Sequence, residues 1–389
     1  MANRKWSKKK LSLWIGCFLF ILSQVLVIFV PYKSVPEDCR PAYDFVLRYR
    51  NKVINRLNLP IDLYASNEVI ESGDFNARVF FAPSPNIEKE LVNFIASAQS
   101  SVELCVFELN LKSVIEKLIE LHKKGVKVRV IIDADYQGET ELRELYKSGV
   151  EINADPRSAF MHNKFVVVDE KKIWTGSYNF TKNGTYKNDN NALLINSPAL
   201  AENYVKEFEE MWDHGKGFFT SSEGFGPRSP ADTPNPSVMI GDVKIENYFA
   251  PEDKVMRRII NEIGKAKASI HMMAFSFTSK ELSSAIRMKK RNGVAVKVLF
   301  HGSGANSEHS CLNDMKEVGA ETFISHNRRG VMHNKVIIID RRIVITGSFN
   351  FSNNADTSND ENLLIVHSPE LAAIYEEEFQ RCVRGIKGY

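Results

Sequence analysis

Cysteine is scarce in this sequence, and no pattern of metal ligands accompanies it. Only five of the 389 residues are cysteines, none of them forms a Cys-x-x-Cys pair, and no His-Glu-x-x-His motif occurs. Either pattern would indicate a zinc site. A chain of this length can bury a large core and needs no disulfide or structural metal. We therefore expect no metal and no other cofactor, while the cysteines beyond residue 30 leave up to two disulfides open.

A strong excess of charge of either sign is also absent. The net charge is +3, and five cations lie within the first ten residues, so the remaining body carries about −2. A broad nucleic-acid-binding surface normally shows as a marked basic excess, and this balance argues against one. With 43% hydrophobic and 25% charged residues, the composition excludes a largely disordered or fibrous chain.

One long apolar run follows the basic tail at 1–10. It occupies 11–30 and contains no charged residue, and as a helix it would measure about 30 Å, the thickness of the hydrocarbon core of a bilayer. We predict a retained single-pass membrane anchor, because the run exceeds the apolar part of a signal peptide and no cleavage motif precedes Pro31. The preceding cations favour a body outside the cytosol. Secretion after signal cleavage is the alternative.

The rest of the chain contains a repeat. The segment 161–164, Met-His-Asn-Lys, recurs at 332–335, and the same offset of 171 residues relates several later identities. The chain therefore reads as a duplicated unit. The predicted divisions are an irregular N-terminal segment at 31–77, a first copy at 78–213, a Gly-, Pro- and Ser-rich linker at 214–245 and a second copy at 246–384.

Each copy alternates helix and strand patterns. In the first copy, helical periodicity over 87–98 is followed by apolar strand patterns at 102–109 and 126–132, with helices near 113–124 and 139–147 between and after them. Two more near-continuous apolar strands follow at 164–168 and 173–175. Strands that are apolar on both faces belong in a sheet covered by helices. We predict an α/β fold of two pseudo-symmetric halves, each a mixed sheet flanked by helices.

Both copies carry one polar constellation. It reads His162-x-Lys164-x4-Asp169-x6-Gly176-Ser177-x-Asn179 and His333-x-Lys335-x4-Asp340-x6-Gly347-Ser348-x-Asn350. A histidine and a lysine two residues apart at the start of a strand point to the same face. An imidazole beside an ammonium group on an apolar strand costs stability unless both face an anion or a cleft. Two other histidines, His271 and His301, are predicted to be ordinary structural residues.

These side chains suit transfer at a phosphodiester. The lysines, the asparagines Asn179 and Asn350 and the serines Ser177 and Ser348 would bind the phosphate oxygens, on which charge accumulates as five-coordinate phosphorus forms. One neutral imidazole would attack phosphorus, while the other, protonated, would give its proton to the leaving alkoxide. That second imidazole would then activate water or another alcohol. Imidazole suits both roles because both of its forms exist near neutrality.

The two constellations resemble the HKD motifs of the phospholipase D superfamily, and the resemblance covers both copies. It implies a single active site between two α/β halves, a covalent phosphohistidine intermediate, His162 as nucleophile and His333 as general acid and base. It also implies that Asp169 and Asp340 hold the backbone and loops more than they touch substrate.

The sequence departs from the family pattern at one position. Members commonly carry an acidic residue shortly after the motif asparagine, where it orients the histidine of the opposite half. Glu361 occupies this place in the second copy, whereas Asn190 replaces the carboxylate in the first. We predict that Glu361 orients His162 and Asn190 orients His333. The sequence leaves open whether Asp189 takes the place of Asn190.

The motif fixes the reaction better than the substrate. The predicted anchor and the mildly acidic body favour a phospholipid, hydrolysed as by a phosphoric diester hydrolase or transferred as by a cardiolipin synthase. Aromatic residues of the linker, Phe218, Phe219 and Phe225, would form an apolar lip beside the site.

Two alternatives remain at this point. A membrane-tethered endonuclease or exonuclease of the same superfamily would use local cations, namely Lys182, Lys187, Arg328, Arg329, Arg341 and Arg342. A catalytically dead scaffold is disfavoured, because both copies retain the histidine, the lysine and the asparagine. Since both motifs lie on one chain, no oligomer is required to complete the site.

Overall fold

The computed structural model describes residues 68–72, 75–214, 225–325 and 330–387. The predicted basic tail and membrane anchor, and most of the N-terminal segment, lie outside these residues. No helix within the described ranges is long and apolar enough to cross a membrane.

The first half contains one mixed sheet and its covering helices. The strands are β1 (Glu68–Ser72), β2 (Phe75–Ala82), β3 (Ser101–Val106), β4 (Lys127–Asp133), β5 (Glu151–Asp155), β6 (Lys164–Val168), β7 (Lys172–Gly176) and β8 (Asn190–Asn196). The helices are α1 (Pro85–Ala96), α2 (Lys112–Lys123), α3 (Thr140–Lys147), α4 (Lys182–Tyr186) and α5 (Pro198–His214), with a 3-10 turn at Ala134–Tyr136.

The second half repeats this order after a 3-10 turn at Gly226–Arg228. Its strands are β9 (Ser237–Ile240), β10 (Val243–Ala250), β11 (Ser269–Ala274), β12 (Ala295–His301), β13 (Glu321–Ser325), β14 (Lys335–Ile339), β15 (Ile343–Gly347) and β16 (Glu361–His367). Its helices are α6 (Val255–Lys265), α7 (Lys280–Arg291), α8 (Gly302–Ala305), α9 (Leu312–Glu317), α10 (Asn353–Thr357) and α11 (Pro369–Lys387).

The two sheets have the same topology. The strand order is β1-β2-β8-β7-β6-β3-β4-β5 in the first and β9-β10-β16-β15-β14-β11-β12-β13 in the second. Strands β3, β4 and β5 pair in parallel, as do β11, β12 and β13, and the other pairs are antiparallel. The predicted α/β fold with two mixed-sheet halves is confirmed.

Local sequence sets the ends of these elements. Helix α1 begins after Ser84, whose hydroxyl accepts the Asn86 N–H at 3.1 Å, and Pro85 takes its first position, where no backbone donor is needed. Helix α2 ends before Gly125, whose φ of +87° is the left-handed conformation that glycine adopts without strain. The following strand β4 therefore starts at Lys127, close to the predicted boundary.

Apolar side chains cover both faces of each sheet. One face of each sheet packs against its own outer helices, while the other faces contribute to one core shared by both halves and by α5 and α11. Within it, Phe81 meets Tyr375 edge to face at 5.3 Å, and Tyr204 meets Phe249 at 5.2 Å. Each pair joins residues of the two halves, so aromatic packing holds the halves together within this shared core.

The sheets extend beyond the predicted boundaries of the repeat. Strand β1 and the start of β2 lie in the segment predicted as irregular, and β9 lies in the predicted linker. Both form edge hairpins, since β1 pairs with β2 and β9 with β10. Identities between the two copies do not extend into these edge strands, so the repeat comparison placed its limits too far inside.

The motif aspartates organise the turn that follows each motif strand. Asp169 and Glu170 both have a φ of +54°, and the Asp169 carboxylate accepts the N–H groups of 99–101 at 2.7–3.0 Å. Asp340 accepts those of 267–269 at 2.7–2.8 Å. These bonds lower the pKa of both carboxyl groups. Each aspartate thus joins the β6–β7 or β14–β15 turn to the loop before β3 or β11.

We expect Asp169→Asn to lower the free energy of unfolding by about 1–2 kcal/mol, because a charged acceptor of several N–H groups is lost. Since the folded-state pKa of Asp169 is lowered, its contribution is present above the unfolded pKa of about 3.9 and disappears as the pH falls through the folded value. Urea titrations at neutral and acidic pH measure this, with Asp242→Asn at an exposed turn as the control. Equal losses for the two variants at neutral pH would contradict the assignment.

Candidate active site

Backbone hydrogen bonds join each motif histidine to the opposite half. The His162 N–H donates to the Asp360 carbonyl oxygen at 2.9 Å, and the Asp360 N–H donates to the Phe160 carbonyl oxygen at 2.9 Å. In the same way the His333 N–H donates to the Asp189 carbonyl oxygen at 2.9 Å. Each histidine therefore enters its strand beside the segment that carries its predicted orienting residue.

The His162 imidazole is held by a buried carboxylate. Its Nδ1 lies 2.7 Å from Oε2 of Glu361, which is fully buried, and the Ser348 hydroxyl donates to the same oxygen at 2.7 Å. Burial raises the pKa of Glu361 to about 8, against the nearby lysine charges that lower it. In its ionised form this group can only accept, so the proton of the neutral ring then lies on Nδ1 and the Nε2 lone pair remains for a ligand. The structure places Glu361 where the sequence predicts it.

The His333 imidazole has a neutral partner. Its Nδ1 lies 2.9 Å from Oδ1 of Asn190 and 3.1 Å from the Ser177 carbonyl oxygen. Asp189 does not replace Asn190 as the partner of His333, because the Asp189 carboxylate instead accepts a hydrogen bond from Arg381 at 3.0 Å. Asn190 and not Asp189 therefore holds the second imidazole, and only one of the two imidazoles has a carboxylate partner.

The motif serines do not face the site as predicted. Ser177 donates its hydroxyl proton to Oδ1 of Asn190 at 3.0 Å, and Ser348 donates to Glu361. A hydroxyl has a single proton to give, so neither serine is available as a donor to phosphate. We therefore infer that Ser177 and Ser348 position the groups that hold the imidazoles, in place of the predicted binding of phosphate.

Two buried lysines lie beside the imidazoles. Nζ of Lys164 donates to the His162 carbonyl oxygen at 2.6 Å, and Nζ of Lys335 donates to the His333 carbonyl oxygen at 2.8 Å. Each ammonium group has two further protons for another acceptor. Burial lowers the pKa of Lys164 to about 7, and burial together with the charge of Lys164 lowers the pKa of Lys335.

Electrostatic interactions between the halves show that these groups form one cluster. Burial lowers the pKa of His162 well below its usual value, and the charges of Lys164 and Lys335 lower it further. Burial, both lysines and His162 do the same for His333. Both rings are therefore neutral. A bound anion would offset the lysine charges and raise the pKa values of all four groups.

The motif asparagines retain hydrogen-bonding capacity. The Oδ1 atoms of Asn179 and Asn350 are buried and have no partner among the described residues. Buried polar side-chain atoms are usually paired, so amide groups that the protein leaves uncommitted are typical of a ligand-binding position. The geometry is consistent with the predicted contact of these side chains with substrate.

Sequence reasoning missed a second set of asparagines that crosses between the halves. Asn362 donates to Oδ1 of Asn163 at 2.8 Å and accepts from Thr175 at 2.6 Å. Asn191 donates to Asn334 at 2.7 Å in the mirrored arrangement and accepts from Thr346 and Tyr375. All these residues recur at the offset of 171. The recurrence of polar residues within the apolar strands of both copies was therefore a sequence signal that could have identified these buried pairs.

An arginine joins the two halves to the linker next to Glu361. The guanidinium of Arg157 bonds to Asp155 at 2.7–3.0 Å, to the Ser358 carbonyl oxygen at 3.2 Å and to the Asp360 carboxylate. The Gly226 N–H of the linker donates to the other oxygen of Asp360. These bonds fix Asp360, which precedes Glu361 and whose carbonyl oxygen accepts the His162 N–H.

Aromatic side chains of the first half border the cluster, and of the three predicted linker residues only Phe225 lies within the described part of the chain. Phe225 is buried, with the Arg157 guanidinium 5.6 Å from its ring, and Phe218 and Phe219 lie outside the described residues. Phe107 instead meets the His162 ring at 5.0 Å, and Phe160, which is 42% exposed, lies 6.4 Å from it. Phe160 thus places an exposed apolar ring near His162, in the segment before the motif.

The remaining predicted residues lie in different places. Arg341 and Arg342 are exposed in the β14–β15 turn, about 16 Å along the strand from Lys335. Lys182 and Lys187 are exposed at the ends of α4, and Arg328 and Arg329 lie outside the described residues. His271 pairs with Glu376 at 2.6 Å, in agreement with a structural role. His301 stacks on Phe275, whose ring contacts His333, and its structural role stays a prediction.

The comparisons with known proteins agree with this fold. A family model described as "Cardiolipin synthase, PLD-like domain" matches residues 91–212 and 259–383. The chain belongs to this family of phospholipase D-like proteins.

Two curated relatives and one solved structure are similar to parts or most of the chain. The mitochondrial cardiolipin hydrolase of Xenopus tropicalis is 38% identical over 124 residues, 31% of this chain and 59% of that protein. The phospholipase D of Rickettsia conorii is 36% identical over 132 residues, 34% of this chain and 66% of that protein. The chain thus spans about three fifths to two thirds of these relatives. Phosphatidylserine synthase of Haemophilus influenzae shares the fold at 12% identity, with a TM-score of 0.63 over 87% of this chain and 91% of that one.

We expect Glu361→Gln to slow formation of a phosphorylated enzyme by about 10²–10⁴-fold, because the carboxylate stabilises the charge that an attacking His162 acquires. Quenched-flow measurements with an activated phosphodiester test this. Asn190→Asp is the matched control at the equivalent position, and we expect it to retain the rate within about tenfold. An equal loss in both variants would contradict the unequal roles of the imidazoles.

We expect kcat/KM to fall as the pH rises through about 7, because the pKa of Lys164 is lowered to about 7 and its charge is lost there. An exposed lysine would stay charged to about pH 10. On the acidic side kcat/KM should fall as well, because burial raises the pKa of Glu361 to about 8 and the protonated carboxyl group no longer stabilises a positive charge on His162. A pH profile of kcat/KM, which reports the free enzyme, measures both limbs. A plateau extending to pH 9 would contradict the buried charge of Lys164.

Proposed function

We propose that this protein is a phosphodiesterase of phospholipase D type, which hydrolyses or transfers the phosphatidyl group of phospholipids through a phosphohistidine. One observation carries the proposal. Each imidazole is held by a side chain of the opposite half, within a cluster that also buries two lysines. A site of this kind suits a substrate anion, because two buried ammonium groups beside one carboxyl group leave positive charge for the anion to neutralise.

In the first step, Nε2 of His162 attacks phosphorus while the bond to the leaving alcohol breaks. His333 gives a proton to that oxygen, and Lys164 and Lys335 bind the oxygens on which negative charge accumulates. Substrate binding supplies the condition for this transfer, because the phosphate raises the lowered pKa of His333. Glu361 stabilises the positive charge that develops on the attacking ring.

In the second step, His333 removes a proton from water, and the oxygen of that water attacks phosphorus. The P–N bond breaks, and its electron pair returns to His162. An alcohol in place of water gives a transfer product, as in cardiolipin synthesis. Groups of the chain complete each proton and bond transfer, and we therefore propose that the reaction is independent of metal ions.

Several observations favour a lipid over nucleic acid. The relatives are named as a cardiolipin hydrolase and a phospholipase D. Phe160 exposes an apolar ring beside His162, and Arg341 and Arg342 lie at the far end of their strand from the site. The nearly neutral body lacks the basic excess of a nucleic-acid-binding protein.

We further propose attachment to the membrane through 11–30, with the body outside the cytosol.

The proposal is tested with vesicles of cardiolipin or phosphatidylcholine beside single-stranded DNA, all in the presence of a chelator. We expect turnover of lipid and trapping of a phosphorylated protein at acidic quench. His162→Ala should abolish the trapped species, because the attacking nitrogen is lost, whereas the exposed His309→Ala should retain it.

Three results would contradict the proposal in different parts. Turnover of DNA alone would refute the lipid substrate, and loss of all activity with chelator would refute metal independence. Continued trapping on His333 in the His162→Ala variant would refute the division of roles.

A further inference from the structure

His301 lies beside the active site without belonging to the motifs. It ends β12, and its ring stacks on Phe275 with centroids 5.1 Å apart and an interplanar angle of 23°. Phe275 in turn meets the His333 ring edge to face at 4.7 Å, and Nζ of Lys335 lies 4.8 Å from the centre of the Phe275 ring. A single aromatic ring thus separates His301 from His333.

His301 differs in its hydrogen bonds from His271, which is a buried histidine. Its Nδ1 is buried and has no partner among the described residues, whereas Nδ1 of His271 lies 2.6 Å from Glu376. Such an unpaired ring nitrogen costs stability unless a ligand or water meets it. Because no partner fixes the tautomer, the half-exposed ring can either donate or accept. That property matches a hydroxyl group, which does both.

The equivalent position in the first half is occupied by a committed group. Asp133 ends β4 as His301 ends β12, and its carboxylate accepts the N–H groups of Met161 and Asp135 at 3.0 Å each. The two sides of the site therefore differ. In the first half, Asp133 accepts backbone N–H groups near His162. In the second half, Nδ1 of His301 has no partner among the described residues and can meet a ligand.

The local charge narrows the chemistry of that partner. Burial and the charge of Lys335 lower the pKa of His301, and they outweigh Asp189, which raises it, so the ring is neutral. The Asp189 carboxylate is itself paired with the guanidinium of Arg381. A cationic group next to this ring would meet the ammonium of Lys335, which the Phe275 face already attracts. An uncharged hydroxyl meets no such repulsion.

We propose that His301 and Phe275 form a subsite for the leaving alcohol, and that this subsite selects an uncharged polyol head group, such as glycerol, over a cationic one, such as choline. The inference rests on the proposed function, in which His333 protonates the leaving oxygen. The head group must then lie on the His333 side, where the Phe275 ring offers an apolar wall and His301 a hydrogen bond to a hydroxyl.

The test uses vesicles that contain phosphatidylglycerol and phosphatidylcholine in equal amounts, so that both lipids lie in the same surface. Released glycerol and choline are measured together, and bis(p-nitrophenyl) phosphate, whose leaving group has no hydroxyl, serves as a third substrate. We expect the unmodified protein to release glycerol at least about tenfold faster than choline, and His301→Ala to lose this preference, as one hydrogen bond to a substrate hydroxyl allows.

The expected effect of His301→Ala is specific to glycerol release. Choline release and cleavage of the small diester should change by less than about twofold. His301→Gln should recover part of the preference, because its amide also donates and accepts, and the exposed His309→Ala should leave all three rates unchanged.

The outcomes separate the inference from the function on which it rests. No cleavage of any of the three phosphodiesters by the unmodified protein would overturn the proposed function. Cleavage without a preference for glycerol, an unchanged preference in His301→Ala, or an equal loss on all three substrates would overturn the subsite while leaving the function in place.

Discussion

The structure depends on burying four basic side chains together where the two halves meet. Two imidazoles and two lysine side chains lie almost without exposure to solvent, and burial lowers the pKa of each. Neighbouring lysine charges lower it further at His162, His333 and Lys335. Such a cluster costs stability unless the groups that hold its side chains are themselves paired. Hydrogen bonds between the halves provide that pairing, from the backbone of each histidine to the crossed asparagine pairs. Neither half could hold its histidine in this way alone.

A duplicated fold also lets equivalent positions take different tasks. Glu361 and Asn190 occupy the same place in the two copies, yet only one gives its imidazole a negative charge. Asp133 and His301 are equivalent in the same way, and one supports a backbone segment while the other has an unpaired ring nitrogen. Arg157 and Arg381 reach corresponding aspartates from elements that are not equivalent. These differences provide the directionality that the proposed reaction requires.

The sequence predicts much of the fold and the identities at the centre of the site. Helical periodicity and apolar runs placed α1, α2, β4 and β6 closely, because their patterns are long and regular. The repeat identified the histidines and the lysines, and the resemblance to the phospholipase D superfamily predicted the roles of Glu361 and Asn190. The repeat did not predict the edge hairpins of β1 and β9, because β1 and β9 share no identity. The repeat also did not predict that Ser177 and Ser348 bond to the residues that orient the histidines, because chain spacing does not reveal which acceptor is nearest. The location of His301 depended on packing around Phe275, which no spacing encodes.

The central claim is that His162 and His333, one from each half, act on a single phosphorus atom. A crystal structure with vanadate, which adopts the five-coordinate geometry of phosphorus in transfer, tests it most directly. The account predicts one vanadate, bound through Nε2 of His162, with Nε2 of His333 at the opposite apical oxygen and both lysines on the equatorial oxygens. Two separate vanadate ions, or one held by residues of a single half, would contradict it.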